Sequence, residues 1–84
     1  MTQKLMRPLE NNNIIGTNIE ELLYLKRKKQ AWLAKQCDVT PSHINQIIKG
    51  KTIPSLQVLK TIADTLEVTT DEIMNPNYSG MSKI

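Results

Sequence analysis

At 84 residues the chain is long enough for one domain and no more, and an aromatic content of 4% leaves its core to aliphatic side chains. Cys37 is the single cysteine, which excludes an internal disulfide and a cysteine-built zinc site, and no apolar run approaches the roughly 18–20 residues of a membrane span. The net charge of +3 is compatible with many partners, and the opening residues MTQKLMRPLE lack the apolar stretch of a secretory signal, so a cytoplasmic location is expected.

Residues 1–13 show no periodicity and end in Asn11-Asn12-Asn13, which predicts a flexible arm carrying Lys4 and Arg7. The first helix is expected over about Ile14 to Lys28, with Ile15, Ile19, Leu22 and Leu23 on one stripe. Either Asn13 or a Thr17–Glu20 capping box opens it. A short second helix, Gln30 to Cys37, buries Leu33, Ala34 and Cys37, and Asp38 follows as a turn residue that tolerates a left-handed backbone. The third helix has Thr40 as N-cap, Pro41 at its first position, an inner stripe of Ile44, Ile47 and Ile48, and Gly50 as its C-terminal stop. The fourth begins near Pro54-Ser55 and carries Leu56, Leu59, Ile62, Ala63 and Leu66. A brief fifth helix has Thr69 and Glu72 at capping-box spacing and Ile73 as its buried anchor. Residues 75–84, with Pro76 and Gly80, read as a flexible tail. The fold class expected is all-α, five short helices, with residues 14–74 as the folded unit.

Charge is unevenly distributed along these elements. Seven Lys/Arg and one acid, Asp38, lie between Lys26 and Lys51, a local +6, whereas Thr52 to Met74 carries Lys60 against Asp64, Glu67, Asp71 and Glu72, a local −3. A concentrated positive patch suits a polyanion, although a solvated lysine face has the same composition. The third helix adds a second signal. At about 100° per residue, Pro41, Ser42, Asn45, Gln46 and Lys49 fall opposite the three isoleucines, and this outer side has no acid. Asn and Gln can pair with adenine edges in a major groove, and Ser can bond several base atoms. A short helix, a tight turn and such a helix together have the shape that enters that groove.

From Ile15 to Met74 the sequence resembles the lambda-repressor-like, Cro-type (XRE) helix-turn-helix family. The resemblance is carried by Gln30-Ala31-Trp32-Leu33-Ala34, Val39-Thr40, Ile44, Ile47, Gly50-Lys51 and Pro54-Ser55-Leu56. Ile62-Ala63, Leu66, Val68 and Ile73 extend it. The resemblance implies a double-stranded DNA-binding transcriptional regulator, a repressor by expectation, of bacterial or phage type and nucleoid-associated. It further implies a homodimer on a pseudo-palindromic site. Pro41, Ser42, Asn45 and Gln46 take the base-reading places. Gln30 takes the place of a residue that binds a phosphate and braces the recognition helix. Lys28, Lys29, Thr40, His43, Lys49 and Lys51 stand where backbone contacts are made.

Four departures from the pattern stand out. Asp38 replaces the frequent glycine of the turn. Pro41 offers only apolar contact, for instance to a thymine methyl. Leu23 and Ile48 stand where relatives often carry an ion pair, so these two are expected to touch. Tyr24, Leu25 and Trp32 occupy places that are commonly polar; Trp32 packing over Tyr24 or Leu25, a dimer contact, a site for a protein partner and an incidental surface cluster are all open readings of them.

No enzyme constellation is evident. Cys37 falls on an apolar stripe, His43 has no acid one turn away, and no glycine-rich phosphate loop occurs, so no cofactor and no metal site is expected. Two other readings remain: an antitoxin- or immunity-type regulator that also binds a protein, and an interaction module that kept this fold without binding DNA.

Overall fold

The computed structural model of the chain describes residues 13–76. The arm and tail expected over residues 1–12 and 77–84 lie outside the described residues. Among those described, five helices and no strand occur: α1 (Ile14–Lys26), α2 (Gln30–Cys37), α3 (Pro41–Ile48), α4 (Leu56–Leu66) and α5 (Thr70–Ile73). The all-α class and its five elements are therefore as the periodicity predicts.

The core is aliphatic throughout. Ile19, Leu33, Ile44, Ile47, Ile62, Leu66 and Ile73 are its largest fully buried side chains, and Leu22, Leu23, Ala34, Cys37, Ile48, Leu59 and Ala63 complete it. Leu23 and Ile48, read as an apolar replacement for an ion pair, both lie in this core. Apolar residues at these places leave no charge to be desolvated. Burial pushes the Cys37 thiol above its ordinary pKa, against a smaller lowering by a hydrogen bond with Thr65, which suits packing and not nucleophilic attack. α3 packs on α2 and α1, α4 lies against α2, and α5 closes the fold against α1 and α4. This arrangement presses one face of α3 into the core.

Four of the helices end alike. After α1, α2, α3 and α4 the chain makes a paired bond back to the last turn: Arg27 N to Tyr24 O with Lys28 N to Leu23 O, Asp38 N to Lys35 O with Val39 N to Ala34 O, Gly50 N to Ile47 O with Lys51 N to Gln46 O, and Glu67 N to Asp64 O with Val68 N to Ala63 O. This closure needs one left-handed residue, usually Gly. Only Gly50 is glycine; Arg27 (φ 58°), Asp38 (φ 60°) and Glu67 (φ 66°) take the same conformation. Hence α1 ends at Lys26, two residues before the expected Lys28.

Three further expectations need correcting. Neither proposed side-chain cap opens α1: Asn13 occupies the cap position without a capping bond, and Thr17 lies inside the helix. Leu56, expected on the inner stripe of α4, is 70% exposed because Ser55 caps the helix and Leu56 opens it, overhanging the core. Asn13 and Asn75, assigned to the flexible ends, are both tied down: Asn13 Nδ2 donates to Ile48 O (2.9 Å), and Asn75 O accepts from Asn18 Nδ2 (2.8 Å). The capping box at Thr69–Glu72 is formed in both directions, as its spacing predicts.

Candidate nucleic-acid interface

The face of α3 opposite its isoleucines is fixed from three sides. At its N-terminus Thr40 Oγ1 accepts from His43 N (3.1 Å), with Pro41 in the first turn, where no intrahelical N–H bond is lost. Behind it Ile44, Ile47 and Ile48 are each at most 5% exposed. At its far end Asn13 binds the Ile48 carbonyl, and Gly16 of α1 lies so close that a Cβ there would run into the carbonyls of Ile47 and Ile48. α3 is thus a short rod held rigidly against α1.

What the rod presents outward is uncharged, and the first charge comes at Lys49, just past its end. Pro41, Ser42 and Gln46 are exposed, His43 and Asn45 half-buried, and Lys49 and Lys51 exposed beyond the end of α3. Asn45 Nδ2 donates to Gln30 Oε1 (3.2 Å), which ties the middle of α3 to the first residue of α2. This bond leaves the Gln30 amide NH2 as a donor and the Asn45 Oδ1 as an acceptor. Asn45, read from the sequence as a base reader, therefore has a bracing role in the fold as well. Thr40 accepts through its hydroxyl oxygen and retains its own hydrogen to donate.

Gln30 also opens α2, and no side chain caps that end, because Lys29 stands in the cap position. A helix N-terminus of this kind favours an anion. Lys28 and Lys29 are exposed beside it, and the Lys28 ammonium lies 5.1 Å from the centre of the Trp32 ring. Trp32 is half-buried and packs against the core under that ammonium. Tyr24 and Leu25 are 78% and 51% exposed and line a groove with Leu23, Arg27, Lys28 and Lys29; Trp32 does not line it. The trio read as one partner surface thus contributes two residues to this groove.

The Asn45–Gln30 bond joins the residues expected to read bases to the start of α2, where Lys28 and Lys29 lie beside Gln30, and Lys49 and Lys51 follow the end of α3. Sequence reasoning missed Gly16, Asn18 and the bond from Asn13 to Ile48, which set that geometry from behind. Asn18 had a visible signal: it is an amide in the middle of the stripe Ile15, Asn18, Ile19, Leu22, and it is 3% exposed. Its Nδ2 donates to Ile73 O (2.6 Å) as well as to Asn75 O, so it ties the end of α5 to α1. Among the described residues, no cluster of His, Cys, Asp and Glu could hold a metal ion, and no helix is long and apolar enough to cross a membrane.

This geometry can be set beside known proteins. The family model HTH_3, described as helix-turn-helix, matches residues 19–73. The chain belongs to the XRE-type helix-turn-helix family. The match runs from Ile19, within α1, to Ile73 at the end of α5, and so covers α2 to α5 and the later part of α1. The solved structure of the clp gene regulator ClgR from Corynebacterium glutamicum is similar at 15% identity, with a TM-score of 0.75 over 87% of this chain and 78% of that one. At that identity the likeness is one of fold. Comparison with curated proteins yields no match.

Proposed function

We propose that this XRE-type chain is a sequence-specific double-stranded DNA-binding regulator of transcription, acting as a repressor in the cytoplasm. The single observation that carries the reading is the acid-free, solvent-facing flank of α3, held rigid by the Asn45–Gln30 bond and bordered by Lys28, Lys29, Lys49 and Lys51. Ser42 and Gln46 read base edges, Asn45 adds its remaining acceptor, and Pro41 meets a thymine methyl. Gln30, Thr40, His43 and the lysines hold the sugar–phosphate backbone, which sets affinity and register. No catalytic step is part of this function.

A single domain of this size buries roughly 600–1,000 Å² on DNA, and a symmetric dimer on two half-sites about 34 Å apart is the usual way to gain affinity. We therefore propose a homodimer on a pseudo-palindromic site. Selecting bound fragments from the source genome tests this directly. An inverted repeat with half-sites about one helical turn apart supports it, and recovery of unenriched sequence contradicts it. A second reading, a regulator of antitoxin type that also binds a protein, draws on the Tyr24–Leu25 groove. It predicts that Tyr24→Ala leaves DNA affinity unchanged.

A further inference from the structure

The groove at the end of α1 combines apolar and cationic chemistry. Leu23, Tyr24 and Leu25 supply its apolar lining, and Arg27, Lys28 and Lys29 supply its charge. An adjoining hollow shares Leu23, Tyr24, Lys28 and Lys29 and adds Glu20 and Gln30, so the groove leads to the first residue of α2. The chain reversal fixes this layout. Arg27 takes the left-handed conformation and Lys28 N donates to Leu23 O (2.9 Å), which carries the three cations round a closed turn beside Tyr24 and Leu25. Lys26 is taken up by Glu67 at 3.3 Å, and the Lys28 ammonium lies over the Trp32 ring. Arg27 and Lys29 have no carboxylate partner among the described residues, and Glu20 forms no ion pair in the hollow.

These features narrow the occupant. Tyr24 and Leu25, 78% and 51% exposed, leave water only for an apolar group. Three cations without a paired acid favour a negative one. A second copy of the chain would set six cations against one another across a two-fold contact. Duplex phosphates would satisfy the cations but bring little apolar surface to Tyr24 and Leu25. A bilayer is flat, whereas this surface is concave. A protein segment that carries an aliphatic or aromatic side chain among carboxylates meets both demands.

We infer that this groove docks an acidic segment of another protein, with one apolar side chain of the segment against Tyr24 and Leu25 and its carboxylates against Arg27, Lys28 and Lys29. Lys28 and Lys29 are also the cations assigned to phosphates beside Gln30. The segment and a duplex therefore exclude one another, and the partner releases the chain from DNA. The docking stands on the groove alone; the exclusion rests on the DNA-binding reading and names a means of regulating it.

Random twelve-residue peptides displayed on phage would be selected on the immobilised chain without DNA, so that failure of docking is separable from failure of DNA binding. Enrichment is expected of sequences that set an aliphatic or aromatic residue among several acids. The most enriched peptide, synthesised with a fluorescent label, should bind at least ten-fold more weakly to Tyr24→Ala and to Arg27→Glu, and nearly as well to Arg27→Lys as to the unaltered chain. Unchanged melting temperatures would show that these exposed substitutions leave the fold intact. No enrichment, enriched peptides without acids, or equal binding to all variants would overturn the inference. Binding to phosphatidylserine vesicles that depends on Tyr24 and Arg27 would overturn it as well, by assigning the groove to a membrane surface. Sheared genomic DNA at low salt should then displace the bound peptide. Peptide and DNA held together on one chain would overturn the exclusion, whereas a chain that takes the peptide but no DNA would contradict the DNA-binding reading and leave the docking in place.

Discussion

Gln46 and Lys49 stand about one turn apart at the exposed edge of α3, yet they are assigned different work. Gln46 is proposed to read a base, so Gln46→Ala is expected to relax preference at one position of the site by about 1–3 kcal/mol. Binding to a panel of single-base operator variants measures this, and a uniform loss over the panel would assign Gln46 to the backbone. Lys49 is proposed to meet a phosphate. Lys49→Ala should weaken all sequences alike and lower the slope of log K against log salt by about one, as read from binding isotherms at several salt concentrations. An unchanged slope would remove Lys49 from the interface. Asn18 contributes behind the site. Its buried amide satisfies two carbonyls at the end of α5, so Asn18→Ala should cost about 1–3 kcal/mol in urea unfolding. A change below about 0.5 kcal/mol would mean that water replaces the amide without loss.

At the scale of the elements, what the sequence disclosed depended on whether a residue's role shows in its type. The inner stripe of α3, its Thr40 cap and the Thr69–Glu72 capping box depend on spacing and chemistry and could be read directly. Gly50 and Asp38 are residue types that suit a left-handed backbone, and both chain reversals were visible. Arg27 and Glu67 adopt the same conformation without any such signal in their residue type, and α1 ends two residues before its periodicity predicts. The exposure of Leu56 was hidden for a related reason: periodicity assigns a face but does not show where the neighbouring helix stops. Gly16 and the long-range role of Asn13 could not be recognised, since each matters through a contact 31 to 37 positions away along the chain. The uncharged outer flank of α3 was legible as a pattern, but not the Asn45–Gln30 bond that commits one of its residues. The turn between α2 and α3 offers a test at this scale. A non-glycine left-handed residue costs about 1–2 kcal/mol, partly offset by the flexibility glycine brings to the unfolded chain. Asp38→Gly should therefore raise stability by up to about 1 kcal/mol. It should also strengthen DNA binding for all sequences by removing a negative charge. Loss of stability in thermal unfolding would show that the Asp38 side chain has a role of its own.

Over the length of the chain, charge is unevenly divided, although Lys26 pairs with Glu67 (3.3 Å) across the two stretches and Glu20 of α1 lies near Lys28 and Lys29. The basic stretch from Lys26 to Lys51 contains α2, the turn and α3, whereas the acidic stretch from Thr52 to Met74 contains α4 and α5. A duplex approaching at random is drawn to the first and repelled by the second. The most direct measurement is a nuclear magnetic resonance titration of the isotopically labelled chain with duplex DNA at low salt, following every backbone amide. The largest shifts are predicted at the amides of Lys28–Gln30, Ser42–Gln46, Lys49 and Lys51, with the amides of residues 64–74 nearly still. Shifts centred on α4 and α5, or none at any DNA concentration, would contradict the assignment of α3 to the groove.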